Sequence, residues 1–203
     1  MKIEKSEIKK LMRLKALDGI LTTLPQEHVL YNPCLKSIHI ENSLAHDNKH
    51  YLNVCGILHQ TAQAVIIYRP AFNVNIAFEQ KSYPILNLML LSFIGQTLFN
   101  REDVATFWVD HFYPLFDAGR DLNTDIKIFD GVQIKKYFSI TGKRIIFKPE
   151  YVSLNWHFAL LYALYVLDPA LVSVNYAEAF SFFKDTLFKI KKSDAQLRNR
   201  VSV

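Results

Sequence analysis

The spacing of apolar residues changes repeatedly along this chain, and each change predicts an element. Ile8, Leu11, Met12, Leu14 and Leu17 recur at helical intervals after Ser6, with lysines mostly off that stripe, so the opening segment predicts an amphipathic helix. It is expected to end at Asp18-Gly19, where glycine takes a left-handed cap without a Cβ penalty. From Pro25 to Lys49 no period persists, apart from a short strand over Leu35 to Ile40. Tyr51 to Leu58 fits helix and strand equally. Ala64 to Tyr68 and Phe72 to Phe78, by contrast, are rich in residues that pack on a pleated surface. With Gln60 and Gln63 marking a turn and Pro70 dividing the last two runs, the expectation is a β-meander.

Helical spacing then returns. Pro84 suits a helix start because the amide hydrogen it lacks would be unpaired in the first turn. After Phe99, Asn100 is placed to cap a second helix, with Val104, Phe107, Trp108, His111 and Leu115 on its apolar side and Pro114 bending or ending it. From Asp125 the period is two: Ile126 and Ile128 alternate with Lys127, Asp130-Gly131 turns, and Val132, Ile134, Phe138 and Ile140 share a face. Thr141-Gly142 then turns the chain into "KRIIFK". A two-residue loop is expected to set Phe138 opposite Ile145 and a three-residue loop opposite Ile146, so the register stays open. "SLNWHFALLYALYVLDP" is apolar nearly all round, which predicts a central buried helix closed by Asp168 before Pro169. Asn175 and Glu178 have the spacing of a capping box for a last helix carrying Ala179, Phe183, Leu187 and Ile190.

These elements make an α+β fold: an antiparallel sheet and β-hairpins packed against several helices, with mostly apolar helices in the C-terminal half. At 203 residues and 50% apolar content the chain suffices for one core. The expected organisation is a single domain over 1–192 and a flexible tail over 193–203. The apolar run from Pro84 to Phe99 is interrupted by Asn87, Ser92 and Gln96, and is shorter than the roughly 20 residues a bilayer span requires. The N-terminus lacks the apolar block of a secretory signal, so a cytoplasmic location is expected. Cys34 and Cys55 then read as unpaired, buried thiols.

Charge changes the picture once it is located. The net charge is +5, yet residues 1–15 hold six bases and two acids and residues 189–203 hold five bases and one acid, which leaves the middle acidic. Basic ends steer acidic partners or form solvated surfaces, and solvation is the simpler account. In the hairpin, Lys135, Lys136, Lys143, Arg144 and Lys148 surround Tyr137 and Phe138. These five are the candidate contacts for an anionic partner, with weak, nonspecific nucleic-acid binding as the expectation. Protection of a sheet edge by lysine ranks ahead of it.

Candidate catalytic chemistry is sparse. His46 and His50 flank Asp47, with His59 nearby, but no glutamate completes a zinc-protease arrangement. His157 lies in the most apolar helix and reads as a core histidine. Asp103, Asp110 and Asp117 repeat every seven residues without identifiable opposing ligands. No dinucleotide fingerprint, phosphate-binding loop or nucleophile elbow occurs. No catalytic residue, metal or cofactor is nominated.

Fifteen Phe, ten Tyr and two Trp read most simply as a large aromatic core, with the alternative that one sheet-and-helix layer leaves some of them as contact area for a partner. Tyr176 and Phe182, adjacent in register to core positions of the last helix, are the candidate partner-binding residues, expected to face outward. The leading reading is a non-enzymatic protein-interaction module, an adaptor or scaffold component that binds another protein or self-associates. A basic nucleic-acid-binding accessory protein is the alternative, and a small enzyme with a dispersed site comes third.

Overall fold

The computed structural model describes residues 5–46, 49–51, 54–73, 75–78, 81–117, 137–141, 144–145 and 154–189. It is a mixed α+β fold. Helix α1 (Lys5–Leu21) and the short α2 (Gln26–Val29) lead into strands β1 (Ser37–Glu41), β2 (Leu44–His46), β3 (Lys49–Tyr51), β4 (Val54–His59) and β5 (Ala64–Tyr68). A 3-10 turn at Arg69–Phe72 precedes β6 (Asn75–Phe78) and β7 (Lys81–Pro84), followed by helices α3 (Ile85–Leu98) and α4 (Glu102–Asp117). Strands β8 (Tyr137–Thr141) and β9 (Arg144–Ile145) come before helices α5 (Leu154–Leu167), α6 (Pro169–Asn175) and α7 (Ala177–Phe182), and a π turn at Phe183–Leu187 closes the described chain.

Five strands form one sheet in the order β1-β5-β4-β8-β9. β1 runs parallel to β5, and the other pairs are antiparallel. The expected meander is therefore only half present. β4 and β5 form a hairpin across the Gln60–Gln63 turn, but β6 leaves the sheet to pair with β7. The 3-10 turn at Pro70 redirects the chain between them. In the β8–β9 hairpin, Ile140 lies opposite Ile145 and Thr141 opposite Arg144. The expected pairing of Phe138 with Ile145 does not hold, because Ile145 lies opposite Ile140; Ile146 lies outside the described residues.

The core is a pair of helices laid against this sheet. Every residue of α3 except Asn87 is buried, and α5 is buried continuously from Trp156 to Leu164. Each large side chain taken out of water there stabilises the fold by about 1.5–3 kcal/mol. The two helices touch most closely at Gly95, where an added Cβ would sit 2.9 Å from the Ala159 Cα. The sheet presses on α3 at Gly56, whose added Cβ would lie 2.7 Å from the Met89 sulfur and 2.8 Å from the Ile66 carbonyl oxygen.

Aromatic rings close the other side. Trp108 is fully buried, stacked on Phe112 at 4.4 Å and edge-on to Phe158 at 5.0 Å between ring centres. The apolar side of α4 thus runs through Val104, Trp108 and Phe112, while His111, expected there, is exposed and bonds back to the Phe107 carbonyl.

Several local expectations shift for identifiable reasons. α1 continues past Gly19 to Leu21, and among its described side chains Leu17 and Ile20 are buried, followed by Leu24 beyond its end. Leu11, Met12 and Leu14 remain 60%, 67% and 47% exposed. Asp168 caps the next helix rather than merely closing α5: its carboxylate accepts from the Leu171 amide and from the Tyr83 hydroxyl at 3.0 Å. The capping box does not form. Asn175 is the last residue of α6 and donates to the Leu171 carbonyl, and Tyr176 occupies the cap position of α7, where its side chain does not bond the helix amides. Among the described residues, no helix is long and apolar enough to cross a membrane.

Candidate functional site

Two concave surfaces and one buried polar network are the places where chemistry gathers. The first surface is a groove of about 770 Å³ between α1 and β1. Leu14, Leu17 and Leu21 line it from the helix, and Ile38 and Ile40 from the strand. Alternation in β1 puts both isoleucines on the side that packs toward the core. Among the described residues β1 is an edge of the five-stranded sheet, with β5 as its neighbour. An edge strand offers half its backbone donors and acceptors to whatever comes alongside. Lys10 and Arg13 also line the groove, as do Asp18 and Glu41. The guanidinium of Arg13 lies 5.6 Å from the centre of the Phe72 ring, which ties this part of α1 to the 3-10 turn.

The second is a cavity of about 190 Å³ where the β4–β5 turn, the end of α3 and the start of α5 converge. Its walls are dominated by carboxamides: Gln60, Gln63, Gln96, Asn100 and Asn155. Gln63 adopts φ 51°, a left-handed conformation that costs a non-glycine residue free energy, and its carbonyl accepts from the Lys36 amide at 2.7 Å. Thr97, on the cavity wall, donates to the Ile94 carbonyl and accepts from Asn32. The half-buried Cys34 completes the rim, and its amide is held by the Asn32 side chain.

Two histidines are built into the core. His28 is buried; its Nε2 donates to the Leu187 carbonyl at 3.1 Å, and its Nδ1 accepts from the Tyr162 hydroxyl at 2.9 Å. Trp108 donates its indole hydrogen to Nδ1 of His157 at 3.0 Å. Burial lowers both imidazoles from 6.5 to about 4 and raises the Tyr162 phenol well above its ordinary range. His157 is the core histidine its apolar surroundings predict. Asp103 bonds to Arg101 at the start of α4, which holds its carboxyl below the usual value. Among the described residues no three His, Cys, Asp or Glu side chains gather as a metal site.

The residues nominated from sequence fare unevenly. Phe182 points inward, 5% exposed and stacked on Phe107 at 4.1 Å, because α7 lies against α4 as well as against α5. Tyr176 is half-buried and packs against the core. The excess of aromatics therefore goes largely into one ring cluster. Phe183 and Leu187 are buried as expected. Lys135, Lys136, Lys143 and Lys148 lie outside the described residues, as does the tail over 193–203, and Arg144 is described only as part of β9. Cys34 and Cys55 are unbridged.

Sequence reasoning passed over both concave surfaces. Gln60 and Gln63 read as turn markers and Gln96 as an interruption of an apolar run. The available signal was a carboxamide inside a helix otherwise apolar all round, at Gln96 and again at Asn155. Compared with protein-family models, curated proteins and solved structures, the chain gives no match.

Proposed function

We propose that the protein is a non-enzymatic interaction module whose groove between α1 and β1 takes an extended segment of a partner protein. The observation that carries this reading is the coincidence, among the described residues, of a sheet edge with an apolar helix face beside it, where Leu14 lines the groove and is 47% exposed. Main-chain bonds to β1 supply affinity in such an arrangement, and alternate side chains set specificity. The occupant is a strand of alternating apolar residues with an acidic residue against Lys10 and Arg13. Asp18 lies roughly 12 Å further along the helix, which gives the groove a basic and an acidic end and hence a preferred direction. The buried, neutral histidines support a non-enzymatic reading, since each is held by two ring bonds or by close packing rather than open to a substrate.

Synthetic peptides test it by fluorescence anisotropy. An alternating Val/Leu peptide with one terminal aspartate is expected to bind. Proline at a central position, which removes a donor to the edge, and lysine in place of the aspartate should each weaken binding at least about tenfold. Leu14→Glu, at an exposed position, should do the same without altering circular dichroism. Absence of binding, or binding indifferent to proline and to Leu14→Glu, overturns the reading.

A further inference from the structure

The carboxamide cavity shares no residue with the groove, and it has a property that packing does not explain. Gln96 is only 6% exposed, and its Nε2 has no hydrogen-bond partner; Oδ1 of Asn155, on the facing helix, is also buried and unpartnered. Leaving a buried donor or acceptor unsatisfied costs about 1–3 kcal/mol each, so such groups call for a partner from elsewhere. One atom is a donor and the other an acceptor. Rotation about the terminal bond of an amide side chain is broad and two-fold, and it presents either atom to the space between them.

We propose that this cavity is a binding site for a small uncharged molecule bearing an amide edge, a carbonyl beside an N–H. Gln96 donates to the carbonyl and Asn155 accepts from the N–H. The charge of the ligand follows from the walls, which among the described residues contain no Lys, Arg, Asp or Glu to compensate a desolvated ion. Its size follows from the volume. A space of about 190 Å³ falls below the ≈ 300–1,000 Å³ of sites for drug-sized ligands and corresponds to a single ring or a short chain. The amide edge is common to pyrimidine bases and to primary carboxamides, and Gln60, Gln63 and Asn100 offer further donors and acceptors to either.

Cys34 on the rim is a built-in reporter, and Cys55 an internal reference, because it is fully buried and burial pushes its thiol up to about 12. The experiment measures the rate at which methyl methanethiolsulfonate modifies Cys34 in the whole protein, with uracil, nicotinamide, acetamide or 1,3-dimethyluracil at millimolar concentration. Uracil, or the two carboxamides, should slow the reaction at least about threefold, which corresponds to about two-thirds occupancy or more. Protection by uracil alone identifies the base, and protection by nicotinamide and acetamide identifies the carboxamide. Dimethyluracil, which lacks the N–H, should give none. Gln96→Met keeps the volume and removes the unpartnered amide, so it should fold and lose the protection; Asn155→Leu serves as the second variant if it does not. No protection by any amide means that the cavity holds water only and overturns the proposal. Equal protection by dimethyluracil, or protection that survives in both variants, overturns it as well.

Discussion

Single side chains decide how this protein responds to acid. His28 and His157 stay neutral in the fold down to about pH 4, against 6.5 for an ordinary imidazole, because burial penalises the charged ring. As pH falls below 6.5 the unfolded chain therefore takes up protons that the folded chain refuses. The stability tied to these two sites is complete above about pH 6.5, is lost progressively toward about pH 4, and changes no further below that. Each site accounts for at most about 3 kcal/mol. Urea unfolding between about pH 6 and pH 5, inside the window between the two pKa values, should show a slope approaching two protons from these sites in the native protein and approaching one in His28→Gln. An unchanged slope in the variant would contradict the assignment. Tyr162→Phe removes the donor to Nδ1 of His28 and leaves that nitrogen buried without it, at a cost of about 1–3 kcal/mol measured at neutral pH.

At the scale of elements, the sharpest constraint is the crossing of α3 and α5. Gly95→Ala improves helix propensity by about 1 kcal/mol. Its Cβ, however, would meet Ala159 backbone atoms at 2.9 and 3.2 Å, and backbone cannot swing aside as a side chain can. Overpacking of this kind costs about 1–3 kcal/mol, so a net loss is expected, read as a lower urea midpoint with unchanged m. A stabilised variant would show that the helices have room to separate. Both helices were legible in the sequence, since nothing but burial on all sides explains "PILNLMLLSFIG" and "WHFALLYALYVL". The β4–β5 hairpin was legible for the same local reason. The parallel seat of β1 was not, because pairing between distant segments leaves no periodic trace. Nor was the division of the apolar stripe on α1, where the same spacing serves packing at Leu17 and exposure at Leu11. The cavity escaped notice because its residues come from four separate stretches, and only folding reveals that Gln96 and Asn155 lack partners.

The whole molecule combines a dense centre with a lightly attached margin. His28 joins α2 to α5 and to the Leu187 carbonyl, 159 residues away, so the helical centre gives way only as a unit. Residues 9–16 of α1 are exposed apart from the half-buried Arg13, and β1 has one neighbour among the described residues. Native-state hydrogen exchange should accordingly resolve two levels: amides of α3 and α5 exchanging through global unfolding, and those of α1 and β1 through a smaller opening. Equal protection in both would mean that the groove is as rigid as the core. The parallel pairing of Ser37 with Ala64 also orders events at birth. β1 leaves the ribosome first, yet its seat exists only after the β4–β5 hairpin has been made and α3 has arrived beneath it. At ~5–20 residues per second that interval lasts seconds. Throughout it Leu17, Ile38 and Ile40 are open to chaperones, or to a partner strand able to claim the edge before the protein's own sheet does.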